Sequence, residues 1–126
     1  MWEIGVDAVE VQRFRTLDYV KNKAFYDRVF TPQEIAYCLS FKSPAQHFAA
    51  TFAGKESVYK AINGRINIKL PQIEIMREGG TPKVNLMTQE HNRSGKASLP
   101  LEVKVSLSHT SSYAVAFALA LFEELG

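Results

Sequence analysis

The sequence predicts an α+β fold, an antiparallel sheet packed against a long central helix and shorter helices. Three observations predict it. Apolar residues alternate with period two near both ends of the chain, in Trp2 to Val6 and in Tyr113 to Leu121. Between them stand two helix starts, Thr31-Pro32-Gln33-Glu34 and Ser43-Pro44-Ala45-Gln46. The second half then alternates on either side of Gly79-Gly80-Thr81-Pro82, the pattern of a hairpin. The order is strand, three helices and four strands, which gives a mainly antiparallel sheet.

Each element has its own justification. Trp2, Ile4 and Val6 form the apolar face of the first strand, and Gly5 and Asp7 lie on the opposite face, with Asp7 at the strand end. A helix is expected from about Val9, with Val11, Phe14 and Leu17 as its stripe. The Thr31 capping box opens a helix reaching about Phe41, and Ser43-Pro44 opens the central helix, which should stop near Asn63-Gly64. Ile73 to Arg77 and Lys83 to Leu86 are the hairpin strands. Gln89 to Pro100 is polar and reads as a mobile loop, and Val103 to Leu107 is a strand. In the last strand Tyr113, Val115, Phe117, Leu119 and Leu121 make a bulky face. Alanines make the other, flat enough for a second backbone element to approach closely.

Composition sets the bounds. The chain has 126 residues, a single domain spanning 1–126, and its 46% hydrophobic content is enough to bury a core. The longest apolar run, Tyr113 to Phe122, is about half of the ~20 residues a membrane span needs. Trp2-Glu3-Ile4-Gly5 lacks the basic and apolar regions of a secretory signal, so a cytoplasmic location is expected. One cysteine, Cys38 between Tyr37 and Leu39, excludes a disulfide framework and reads as a buried structural thiol. His47, His91 and His109 lack ligand spacing. A net charge of +2 permits an anionic partner without demanding nucleic acid.

Three segments carry candidate chemistry. Glu56, Lys60 and Asn63 stand at i, i+4 and i+7 of the central helix and share one face, with Lys55 beside them. On spacing alone this is either a solvated ion pair or a carboxylate able to hold a metal beside an ammonium. Asp7 is either a helix cap or a second carboxylate. Ser106-Leu107-Ser108-His109-Thr110 closes a strand with hydroxyls around one histidine.

Taken together, Gly5-Val6-Asp7, Ala53-Gly54-Lys55-Glu56-Ser57-Val58-Tyr59-Lys60 and Ser106 to His109 resemble the holo-acyl-carrier-protein synthases. These are the small class of 4′-phosphopantetheinyl transferases. Val9 to Phe14, Arg28 to Glu34 and Gly80-Thr81-Pro82 extend the resemblance over nearly the whole chain. It implies transfer of the phosphopantetheine arm of coenzyme A to a serine of an apo acyl carrier protein, with release of adenosine 3′,5′-bisphosphate. It also implies Mg²⁺ and a homotrimer with sites at subunit interfaces. Asp7 and Glu56 would be the metal carboxylates, Glu56 and Lys60 the catalytic pair, and Lys60 the phosphate-binding lysine. Lys55 would steer an anion, while His109 and Thr110 would meet the adenosine end. Glycine at 5 would let the backbone pass close to the metal.

The resemblance has departures. Many relatives carry arginine, a contact of the 3′-phosphate, where this chain has Thr51; Lys42 is placed to compensate. Glu56 through a water, or Glu34, would take the serine proton. Arg13, Arg15 and Arg28, with Lys21 and Lys23, form a basic run suited to an acidic carrier. The alternative reading is a non-catalytic homologue that binds coenzyme A or a carrier protein without transfer. An apolar face left over by the last strand points to oligomerisation.

Overall fold

The computed structural model of the chain describes residues 1–87 and 99–124. Strand β1 (Trp2–Glu10) is followed by helices α1 (Gln12–Thr16), α2 (Lys23–Val29), α3 (Pro32–Leu39) and α4 (Pro44–Ile62). A short 3-10 turn, Leu70–Gln72, leads into β2 (Ile73–Glu78), β3 (Thr81–Leu86), β4 (Glu102–His109) and β5 (Tyr113–Leu121). All strand pairs are antiparallel, but they form two sheets: β1-β5-β4, and the hairpin β2-β3. Gly79 and Gly80 turn the hairpin with φ of 58° and 84°, values that suit glycine. Most of the expected loop at Gln89 to Pro100 lies outside the described residues. Among the described residues no helix is long and apolar enough to cross a membrane.

The α+β expectation holds, and the alanine face of β5 explains how the layers meet. Ala114, Ala116, Ala118 and Ala120 are buried against α4, while Tyr113, Val115 and Phe117 point outward and are exposed. β1 continues the same arrangement. Gly5 pairs with Ala118 and Asp7 with Ala116, so Gly5, Asp7 and Val9 face α4. At Gly5 the backbones nearly touch, and a Cβ there would collide with the Ser57 carbonyl. Gly5 therefore lets α4 seat on β1; its expected role of clearing space for a metal gives way to this one. Trp2, Ile4 and Val6, the apolar face of the strand, are exposed at 56%, 64% and 57%. The sheet thus turns its small residues to the helix and its large ones outward.

Local signals fared unevenly. The Thr31 capping box forms: Glu34 N–H donates to Thr31 Oγ1 at 3.2 Å, and Thr31 N–H donates to Glu34 Oε1 at 2.9 Å. Ser43 precedes α4 but makes no side-chain cap. The helix expected from Val9 starts at Gln12, because β1 stays paired with β5 as far as Glu10 opposite Tyr113. Asp7 is accordingly inside the strand and not at its end. Helix α2 was not expected; Tyr26 and Phe30, at its end, join Phe14, Phe48 and Phe52 in an aromatic core with ring centroids 4.7 to 6.4 Å apart. The Tyr26 hydroxyl donates to the Leu17 carbonyl, and burial pushes its pKa up to about 12. Cys38 is buried, free and pushed up to about 12 by burial, the inert thiol its neighbours suggested.

Candidate active site

Two clusters of chemically able side chains lie on opposite faces of α4. The first joins α4 to β1. With Gly5 seated against Ser57, the following turn of α4 passes Asp7. Lys60 Nζ donates to Asp7 Oδ1 at 3.0 Å and to the Val6 carbonyl at 3.1 Å. The Asp7 side chain keeps 16% of its surface and that of Lys60 50%, so the pair opens to solvent on one side. Glu56 stands one turn before Lys60 and is half-buried. Burial, and then the charge of Asp7, push its carboxyl above the usual range, while Lys60 and Arg13 pull the other way. Two carboxylates thus lie close together, with Lys60 and Arg13 as their counter-charges. Such hard oxygen donors can hold a divalent cation completed by substrate oxygens. Among the described residues no group of three or more His, Cys, Asp or Glu gathers, so these two carboxylates stand without a third.

Arg13 belongs to this cluster. Its guanidinium lies over the rings of Phe52 and Phe14, at 5.0 and 6.0 Å from their centroids, on the Glu56 side. Arg15 donates to the Ser111 carbonyl at 2.9 Å and ties α1 to the β4–β5 turn. Arg28 is exposed in the last turn of α2. The basic run is thus spread over α1 and α2, with Arg13 and Arg15 held by different partners. Asn63 caps the end of α4.

The second cluster occupies the face of α4 turned toward α3 and β2. Lys55 is fully buried; its Nζ donates to Glu34 Oε1 at 2.8 Å and to the Ile73 carbonyl. Glu34 Oε2 in turn accepts from Ile75 N–H at 2.7 Å, and Thr31 Oγ1 donates to Glu74 at 2.7 Å. Burial lowers the Lys55 pKa despite the Glu34 and Glu74 charges. The expectation that Lys55 steers an anion is therefore corrected, because it pins α4 to α3 and β2 from inside the core. Glu34 is likewise sealed and saturated, and is removed as an acceptor of the serine proton.

Toward the start of α4 the same face carries Thr51 and His47. Arg77, from β2, donates to Thr51 Oγ1 at 3.0 Å and lies 4.8 Å from the Tyr37 ring centre. The His47 ring stacks on Phe41 at 3.6 Å and meets His109 edge-on at 5.6 Å. Thr110 Oγ1 accepts from the backbone N–H of Ser112 and of Tyr113, at 3.1 and 3.0 Å, and so shapes the turn beyond β4. Lys42 is exposed beside Phe41.

The structure thus brings together Asp7, Glu56 and Lys60, and places His109 and Thr110 elsewhere on the same chain. Sequence reasoning missed His47 and Arg77. The spacing of His47, Thr51 and Lys55, at i, i+4 and i+8, was the available signal for their shared face.

Comparison with known proteins places the chain in a family. The family model of the 4′-phosphopantetheinyl transferase superfamily matches residues 3–118. A holo-[acyl-carrier-protein] synthase of Moorella thermoacetica is 42% identical over 94% of this chain and 93% of its own. That of Chlamydia felis is 37% identical over 96% and 98%. Among solved structures, the Neisseria meningitidis holo-[acyl-carrier-protein] synthase superposes with a TM-score of 0.76 at 26% identity, covering 97% of this chain and 98% of its own. The ACPS–CoA complex of Chronobacterium ammoniagenes shares the fold with a TM-score of 0.77 at 24% identity, covering 98% and 99%. With the match spanning nearly the whole chain, this protein belongs to the 4′-phosphopantetheinyl transferase superfamily, among the holo-[acyl-carrier-protein] synthases.

Proposed function

We propose that the whole chain works as one domain that moves the 4′-phosphopantetheine arm of coenzyme A onto a serine of an apo acyl carrier protein in the cytoplasm, in the service of fatty acid synthesis. The observation that carries this reading is the meeting of Asp7, Glu56 and Lys60 at an open edge of α4. The serine oxygen attacks the phosphorus bearing the arm, the anhydride bond breaks, and adenosine 3′,5′-bisphosphate leaves. The nucleophile comes from the carrier, so this chain needs no reactive serine or thiol of its own, in keeping with the buried Cys38.

The crowding of two carboxylates fits Mg²⁺, which takes one or two carboxylates and completes its shell with water and phosphate oxygens. Asp7 and Glu56 would hold it, and it would supply charge neutralisation at the diphosphate. Lys60 offsets the charge that builds on the leaving oxygens. Glu56, acting through a water, is the site carboxylate left to accept the serine proton. Arg13 lies beside Glu56, so an acidic carrier bound at Arg13, with Arg28 and the exposed part of Arg15 as further contacts, brings its serine to the reacting end. His109, Thr110 and Lys42 serve the adenosine end.

The outward face of the three-stranded sheet supports assembly. Ile4, Val6, Tyr113, Val115 and Phe117 are each at least 44% exposed, a contiguous apolar surface of the kind that marks an interface. A closed three-fold arrangement would cover it.

The test is mass spectrometry of an apo carrier protein incubated with this protein, coenzyme A and Mg²⁺. A mass gain equal to the phosphopantetheine arm is expected, and its absence with several acidic carriers would refute the reading. For assembly, Phe117→Asp should yield monomers or aggregates with little activity; a fully active monomer in light scattering would count against the trimer.

A further inference from the structure

We propose that Arg77 is the residue by which this chain recognises a phosphate monoester on its nucleotide substrate, with His47 and His109 as flanking donors. The inference rests on the transferase reading for the identity of the nucleotide, coenzyme A.

The geometry is that of a guanidinium held ready. Arg77 is only half-buried and is fixed from two sides, by the Thr51 hydroxyl at 3.0 Å and by the Tyr37 ring at 4.8 Å. A further bond from Nη1 reaches the Ile75 carbonyl at 3.3 Å. A guanidinium has five N–H donors in a fixed fork, so three remain for a ligand. Among the described residues no carboxylate lies within ion-pair distance of Arg77. An arginine fixed in place without an acidic partner is suited to bind an external oxyanion, and its planar fork matches phosphate oxygens two at a time.

The neighbours are of the same chemical kind. His47 is stacked on Phe41 and edge-on to Tyr37, and His109 meets it from the end of β4. Both imidazoles can donate to a phosphate. Thr51 is fully buried and cannot touch a ligand, but its hydroxyl holds the arginine that can. The positive group absent from α4 at Thr51 is thus supplied from β2.

The position of this cluster says which phosphate it meets. His47 and Glu56 are nine residues apart, a rotation of about 180° around the helix at 3.6 residues per turn. The helix, with a diameter of about 10–12 Å including side chains, therefore stands between the Arg77 cluster and the Asp7–Glu56 pair. The 3′-phosphate of coenzyme A is one ribose away from its diphosphate. It cannot reach across the helix, so Arg77 serves a coenzyme whose diphosphate sits on the carboxylates of a second copy.

Binding and turnover test this separately. Calorimetry would compare adenosine 3′,5′-bisphosphate with adenosine 5′-monophosphate on the wild-type assembly and on Arg77→Ala and Arg77→Lys. Loss of one charged hydrogen-bonding group predicts that Arg77→Ala weakens the bisphosphate about 10- to 100-fold and leaves the monophosphate unchanged, with Arg77→Lys between. In transfer assays the same variant should lose kcat/KM for coenzyme A by a similar factor and retain that for dephospho-coenzyme A. The monophosphate and the dephospho substrate report on folding, since a misfolded variant loses both members of each pair. Equal losses on both in an Arg77 variant that melts like wild type, or an unchanged preference, would overturn the proposal. So would a wild-type protein indifferent to the 3′-phosphate. If wild type transferred no arm yet bound the bisphosphate through Arg77, the transferase reading would fall and this inference would stand.

Discussion

Lys55 and Glu56 are consecutive residues of α4, yet one faces α3 and β2 and the other faces β1. Lys55 is fully buried, and its ammonium meets the Glu34 carboxylate and a backbone carbonyl. Its surroundings are saturated: every partner accepts from it, and Glu34 itself also takes the amides of Thr31 and Ile75. Glu56 is half-buried, pressed toward another carboxylate, and its charge is only partly offset by Lys60 and Arg13. One side of the helix has been brought to electrostatic rest and the other left under tension. Folding secures the first, and the second keeps a carboxyl whose ionised form burial and Asp7 disfavour. The rigid side also fixes the rotation of α4, and therefore where Glu56 points.

The comparison can be broken at either residue. The largest effect is expected at Glu56: Glu56→Gln, nearly the same in shape, should lower arm transfer roughly 100- to 1,000-fold, the scale of a lost electrostatic contribution at a reacting centre. Near-normal turnover would show that its carboxylate is not used. Next comes Lys55→Met, which leaves Glu34 buried without its partner. Urea unfolding should show a loss of about 3–5 kcal/mol, while the protein still folded at low denaturant transfers normally. A stable but inactive Lys55→Met would mean that the ammonium reaches a ligand, and the contrast would collapse.

The smallest effect is the most discriminating. The folded-state pKa of Glu56 is raised, so its ionisation opposes folding. The stability it contributes is present below the ordinary carboxylate pKa and is lost as pH rises through the raised value. Glu56→Gln removes that cost. Metal-free Glu56→Gln should therefore melt a few degrees above wild type at neutral pH, and the gap should close as the pH falls below the carboxylate range. Calorimetric scans across pH check this, and a gap that widens in acid would contradict it.

How far these features were legible depended on the range of the forces involved. The Thr31 box was visible because both partners lie within one turn. The faces of β5 were visible because alanine and bulky residues alternate strictly. Period two in β1 revealed two faces but not which one meets the helix. The usual rule, apolar side inward, fails there because Gly5 and the alanines opposite are what fit beneath α4. Helix α2 has no side-chain cap at Asn22 and is held by tertiary packing of Tyr26 and Phe30, so it left no local mark. The Lys55–Glu34 pair spans 21 residues, and Arg77 meets Thr51 across 26; neither separation follows any period. The carboxylates of the site were legible only through the resemblance of three ordered segments, since spacing alone also fitted a solvated pair.

The row of alanines on β5 works like a shim. Asp7 rides on β1 directly beside Ala116, and α4, which carries Glu56, lies over that row, so only methyl groups stand between helix and strand there. A thicker residue would lift the helix and part the carboxylates; a thinner one would let them close. The relative placement of the two carboxylates thus depends in part on a strand that carries neither of them, and a change at those alanines would shift Glu56 against Asp7 while leaving both in the sequence.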